Sequence, residues 1–260
     1  SVSTGEYVRS IEEQRARSRA ELRGATSALA AVARHELPLG TALRFGGGAG
    51  ADVPLPALPH AVEVASTAEG FLVDGEPSGP RSIALGRFTL RLSHQHAPAV
   101  VILDAQSPRL GEDVERRWFP VDPSLRVRAT LEPDGARVSI GSTASGERAA
   151  ERAGWLAFVI DGATCRLAAL RLLEPGVDAD HLEVYFRDAT SGHESYGMGR
   201  YVAVERDGAD AILDFNRAYN PACALSPFYN CPIPPRENVL AIPIRAGEMA
   251  PRLGQPPAHG

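Results

Sequence analysis

Not one of the 27 basic residues of this 260-residue chain is a lysine; all are arginine. That excludes any mechanism built on a lysine nucleophile or Schiff base. An absence this uniform reads as a coding bias toward Arg, Ala, Gly and Pro, not as arginines recruited for phosphate. Cysteine is scarce too. Cys165, Cys223 and Cys231 make an odd, low count that suits a reducing compartment and does not suggest a disulfide framework. A cytoplasmic protein is therefore expected. The chain begins at Ser1 without Met, which leaves export open, and in that setting Cys223 and Cys231 could pair across their loop. No apolar run has the length of a transmembrane helix, and no signal-peptide pattern opens the chain. A net charge of -5 favours neither nucleic acid nor an anionic membrane, so a small-molecule ligand is the expected partner. Oligomeric state is left open, with a homodimer as one alternative.

Nucleotide and metal motifs are missing as well. The Gly46–Gly50 run is followed by no strand-to-helix step with Lys-Ser/Thr, so it reads as a loop between short strands. His94 and His96 alternate but have no third ligand at a useful spacing, and Pro98 makes a surface turn the better reading. His193 and Glu194 do not form the helical zinc pattern, and Cys223 and Cys231 are too far apart for a zinc pair. No cofactor and no metal is expected.

What is present is a long series of short strand-like segments with turn residues between them. They lie near 61–65, 71–73, 82–85, 88–92, 99–103, 125–131, 137–140, 155–160 and 165–172, and the last two flank the hairpin signal Asp161-Gly162. The expected fold is mainly β, an antiparallel barrel or sandwich. A helical arm precedes it. Val8, Ile11, Leu22, Ala25, Leu29 and Val32 give helical spacing from residue 5 to about 34, interrupted at Gly24. The expected division is an arm over 1–36, an all-β domain over 37–250 with a break between sub-lobes near 110–125, and a tail without order over 251–260. The poor patterning behind that tail begins at Gly247. Trp118 and Phe119, beside Arg116 and Arg117, read as a loop anchor more than as the mouth of a pocket.

Polar, aromatic, glycine and proline residues are densest between Val184 and Asn238. A meander is expected there: strands at 182–187, 199–205 and 211–215, with a glycine-hinged loop over Asp188–Met198. Asn216–Asn238 then carries five prolines and little strand or helix pattern, and Val239–Ile244 reads as a closing strand. The candidate pocket lies between that loop and the proline-rich segment, within 185–238. Arg187 and Arg200 would bind an anionic group, with Arg217 nearby. Asp214 is the candidate acid/base, with Asp188 and Glu194 as further carboxylates. Tyr196 and Tyr219 would orient a ligand, and Asn216 and Asn220 would supply amides. Cys223 is a weak candidate nucleophile, since no motif places His181 or His193 beside it. Balanced charges of this kind can also neutralise one another in a buried network. Three readings follow: a small-molecule enzyme with a non-redox acid/base step such as hydrolysis, isomerisation or cyclisation, a non-catalytic ligand-binding module, or a structural lock with function elsewhere.

At these residues the chain resembles a known family. The blocks FRDATSG (186–192), ESYGMGRY (194–201), LDFNRAYNPAC (213–223) and CPIPPREN (231–238) are similar to the signature of the bacterial domain-of-unknown-function family 1684. WFPVDPSLRVRA (118–129) and LAFVIDG (156–162) extend the resemblance more loosely, to roughly 5–250. Two places depart from it: ALAAVARHEL stands where the family tends to carry Gly-Trp-Leu and a second aromatic, and His193 stands at a usually basic position. The resemblance implies a predominantly β fold centred on this stretch, and no particular activity.

Overall fold

The N-terminal helix starts where local chemistry allows. In the computed structural model, which describes residues 2–254, Ser3 caps α1 (Thr4–Glu21) through a capping box with Glu6, each side chain accepting from the other's backbone N–H. The helix ends at Glu21, earlier than the expected 34. A short 3-10 turn at Ala28–Ala30 then leads into strand β1 (Ala31–Glu36). Periodicity alone favours a helix here. Backbone pairing decides otherwise, because β1 runs antiparallel to a strand at Ala97–Asp104, from Ala31↔Leu103 to Glu36↔Ala99.

The first half of the chain builds two sheets. β2 (Ala42–Gly46), β3 (Val53–Pro54), β4 (Ala61–Ser66), β5 (Phe71–Val73) and β6 (Glu76–Ser78) form a five-stranded sheet in the order β3-β2-β4-β5-β6. β7 (Arg81–Leu85), β8 (Phe88–Gln95) and β9 (Ala97–Asp104) join β1 in a four-stranded sheet, β1-β9-β8-β7. Alternation in β8 sends Phe88, Leu90 and Leu92 into the core between these sheets, where they meet Phe45, Val64 and Phe71. His96 sits at the β8–β9 hairpin tip with φ of 70°, while His94 packs its ring edge-on against Phe71.

After the two-residue strand β10 (Val114–Glu115), the second half closes a six-stranded antiparallel barrel. Its strands are β11 (Arg126–Gly141), β12 (Glu147–Ile160), β13 (Ala163–Leu172), β14 (Glu183–Phe186), β15 (Arg200–Asp207) and β16 (Asp210–Asp214). Asp161-Gly162 makes the expected β12–β13 hairpin. Leu156, Phe158, Leu167, Val184, Phe186, Val202, Leu213 and Phe215 fill the interior.

One seam of the barrel is thin. β13 and β14 share a single residue pair, Leu170↔Glu183. A buried side chain substitutes for the missing ladder. Asn238 accepts from the Ala168 N–H at 2.7 Å and donates to the carbonyls of Ala168 (3.0 Å) and Tyr185 (2.9 Å). The proline-rich segment is therefore built into the barrel wall. It also fills the space between the halves, with Phe228 and Tyr229 against Val101 and Leu103 of β9.

The expected closing strand at Val239–Ile244 does not form. Val239 makes one isolated bridge to Arg187, and Pro243 has no N–H to give a ladder. The tail is ordered further than expected: Arg252–Leu253 pairs with β10 as β17, whereas residues 255–260 lie outside the described residues. No helix among the described residues is long and apolar enough to cross a membrane.

Candidate functional site

The charged residues of the central motif form separate knots. Arg200 is 1% exposed and lies between the rings of Phe119 and Phe186. Its guanidinium donates to Asp188 Oδ1 at 3.2 Å and to the carbonyls of Ile244 (2.8 Å), Ala246 (2.5 Å) and Glu248 (3.2 Å). Asp188 is saturated in turn, since its Oδ2 accepts from Thr190 N and Oγ1 and from Ile244 N. Gly199 makes this approach possible: its φ is 117°, and a Cβ there would lie 2.5 Å from the Phe186 carbonyl. Arg200 Nε is the one donor of this pair left without a partner, and it is buried.

Asp214 belongs to a second knot, under the helical arm. It is 2% exposed, caps the 3-10 turn Phe215–Arg217, and accepts from the Tyr7 hydroxyl at 2.7 Å and Arg217 Nε at 3.2 Å. Asn216 ties the same point to Asp122, donating to its carbonyl and accepting from its N–H. Burial and the Asp214 carboxylate together push the Tyr7 phenol pKa up. Glu194 pairs with Arg245 on the surface, which lowers its pKa. Arg187 donates to the Met198 carbonyl at 3.0 Å. Trp118 is covered by Arg19 and, at 5.9 Å, Arg15.

Tyr219 and Asn220 are placed differently. Tyr219 pairs its backbone with Tyr201 and stands 43% exposed, on the wall shared by two cavities outside the barrel. The first, of about 400 Å³, includes Arg91, Arg116, Asn220, Tyr229 and Glu248. Burial raises the Glu248 pKa, and its carboxylate accepts from the Asn220 N–H at 2.8 Å. Arg116 stays 3.7 Å away, too far for a hydrogen bond.

The second cavity, of about 280 Å³, opens at the thin seam. Tyr185, Tyr201 and Tyr219 form a ladder of edge-to-face rings on its wall, with centroids 4.5 and 5.7 Å apart. Glu183, 5% exposed, accepts from the Tyr219 hydroxyl at 2.6 Å on one oxygen, and its other oxygen holds His181 Nε2. The His181 side chain is 51% exposed. Burial first, then the Glu183 charge, pushes the Tyr219 pKa up, so the phenol keeps its proton. Arg148 completes the floor, held by Glu174 (2.7 Å to Oε2) and by the Asn230 carbonyl. Asn230 in turn binds Gln95 from the β8–β9 hairpin through its N–H and its Nδ2, so both halves of the molecule build this cleft.

Residues 115–249 match the family described as protein of unknown function (DUF1684). The chain belongs to this family. The DUF1684 match takes in the barrel, the seam, the tyrosine ladder and Glu248, and leaves both N-terminal sheets outside. Among solved structures, the solution NMR structure of an uncharacterized protein of Haloarcula marismortui is similar, at 35% identity over 52% of this chain and 75% of that chain, with a TM-score of 0.43. No curated protein matches the chain.

Of the groups lining the two cavities, the sequence singled out neither Glu183, Arg148 nor Glu248, and it placed His181 and Arg116 only in other roles, beside Cys223 and beside a loop anchor. Glu183 did carry a signal, as an acid two residues after a histidine at the start of an expected strand, and β14 begins at Glu183. Arg116 and Glu248 carried none, being 132 positions apart and joined only by the fold.

Proposed function

We propose that this DUF1684 protein is a small-molecule enzyme that performs a non-redox acid/base step, such as an isomerisation or hydrolysis, in the seam cleft. The observation that carries the reading is the chain Tyr219–Glu183–His181. A nearly buried carboxylate holds a phenol on one oxygen and an imidazole on the other, at the wall of a cavity of ligand size. In this reading Glu183 takes a proton from a ligand lying on the tyrosine ladder. His181, half in solvent, exchanges that proton with water. Tyr219, kept protonated by its surroundings, donates to the oxygen on which charge develops. Asp214 and Arg200, the earlier candidates, have no part in this step.

A non-catalytic binder is the competing reading. It is favoured by the ladder itself, which offers flat apolar faces whether or not Glu183 moves a proton. The two separate in a thermal-shift screen of metabolites followed by mass-spectrometric assay of each hit. The enzyme reading expects hits that wild type converts and Glu183→Gln binds but leaves unchanged. Conversion undiminished in Glu183→Gln would sink it, and binding without conversion in either protein would establish the binder.

A further inference from the structure

The first cavity lies outside the acid/base reading and keeps charges of both signs on its wall. Arg116 follows β10, and Glu248 follows the proline-rich segment. Arg116 Nη1 donates to the Ser18 carbonyl at 3.0 Å, Nε is buried without a partner, and Nη2 makes no hydrogen bond to a described residue. Glu248, 7% exposed, accepts from the Asn220 N–H on Oε2, and its Oε1 makes no hydrogen bond to a described residue. That Oε1 stands 3.7 Å from Arg116 Nε, attracted but not joined. Arg91 of β8 lines the same cavity. Its guanidinium makes one long approach, at 3.4 Å, to the Ser82 hydroxyl and pairs with no carboxylate among the described residues. Glu21, at the end of α1, adds a second carboxylate to the wall. Tyr219, Tyr229 and Leu225 supply apolar surface beside these charges. The space, about 400 Å³, is in the range of small-molecule sites.

We propose that this cavity binds a small zwitterion of the α-amino-acid class, with its carboxylate on Arg116 and Arg91 and its ammonium on Glu248. A simple anion would answer the arginines but would lie against two carboxylates. A simple cation would answer Glu248 but would meet two guanidinium groups. A ligand that carries both charges satisfies both sides through charge-assisted hydrogen bonds. In an α-amino acid those charges sit on adjacent carbon atoms, which suits an acid and a base 3.7 Å apart. The side chain then lies against Tyr219, Tyr229 and Leu225, so an apolar or aromatic amino acid is the expected best ligand. The wall is composite: Arg91 and Glu21 precede the DUF1684 match, whereas Arg116 and Glu248 lie inside it. Both halves of the chain are needed to form it. The site shares only Tyr219 with the seam cleft, so it stands whether or not Glu183 moves a proton.

The full chain is screened by thermal shift against each standard L-amino acid at millimolar concentration, and hits are measured by calorimetry. The expected result is a raised melting temperature with at least one apolar or aromatic amino acid, and a dissociation constant that weakens about tenfold or more in Arg116→Gln. Arg116 also holds Ser18, so the exposed Arg91 provides a second variant: Arg91→Ala should melt like the unliganded wild type and still bind more weakly. The amide of the same amino acid, which lacks the carboxylate, and its N-acetyl derivative, which lacks the ammonium, should both fail to bind. Glu183→Gln should bind it as wild type does. A screen in which no amino acid raises the melting temperature would overturn the proposal and leave a cavity that holds water only. So would binding that survives both arginine substitutions, or an amide or N-acetyl derivative that binds as tightly as the free amino acid. A hit lost in Glu183→Gln would also overturn it, since the ligand would then lie in the seam cleft.

Discussion

The Arg200 knot and the Tyr219 chain are made of the same materials and differ in how far they reach solvent. Both join β14 or the loop after it to β15 or its neighbour, and both centre on a carboxylate at most 6% exposed. Around Arg200, four acceptors answer the guanidinium and aromatic rings cover it. Around Glu183, the partners are a tyrosine 43% exposed and a histidine side chain 51% exposed. Charge density in a motif therefore does not separate a lock from a site. What separates them is whether the partners of a buried carboxylate reach solvent.

Five substitutions press on that contrast, and the largest effect belongs to the lock. Arg200→Met strands a buried Asp188 and three carbonyls, and should cost about 3–5 kcal/mol of stability in urea unfolding. Asn238→Ala should follow, at about 2 kcal/mol or more, because it leaves buried groups of Ala168 and Tyr185 unpaired at the seam. Tyr7→Phe removes one hydrogen bond to Asp214 and should cost about 1 kcal/mol, with faster amide exchange confined to α1. If Tyr219→Phe proved as damaging as Arg200→Met, the cleft would be a second lock and the contrast would fail.

The smallest effect is a slope. The folded-state pKa of Glu248 lies above its ordinary 4.5 because the side chain is buried. Its contribution to stability is then complete below about pH 4.5 and is lost as pH rises through the folded value. Glu248→Gln keeps an acceptor for the Asn220 N–H but does not titrate. Its melting temperature should gain on that of wild type between pH 4.5 and neutrality. Parallel curves would mean that the carboxyl is better solvated than its position implies.

Much of the fold was legible because strands are local patterns. β4, β5, β7, β8 and β9, the long barrel strands and the Asp161-Gly162 hairpin all follow alternation and turn chemistry. The misreadings have one physical source, a backbone partner invisible in sequence. Residues 31–34 looked helical until β9 claimed their N–H groups. Val239–Ile244 looked like a strand, yet the carbonyl of Ile244 turns to Arg200 and its N–H to Asp188. The site was half legible for the same reason. The right stretch stood out: Tyr219 lies on both cavities and Asn220 on the first. Gln95, Arg148 and Glu248, however, arrive from elements far apart along the chain.

The hold of Arg200 on Ile244, Ala246 and Glu248 also bears on how the chain is made. β15 leaves the ribosome well before those carbonyls exist. Until residue 248 has emerged, the guanidinium and Asp188 have no complete set of partners, and the seam has closed on Asn238 only moments earlier. Domains commonly fold as units once their last essential segment is available. The barrel should therefore acquire protease resistance late in synthesis, in one step, and a ribosome stalled before residue 244 should carry a nascent chain that is still easily cut.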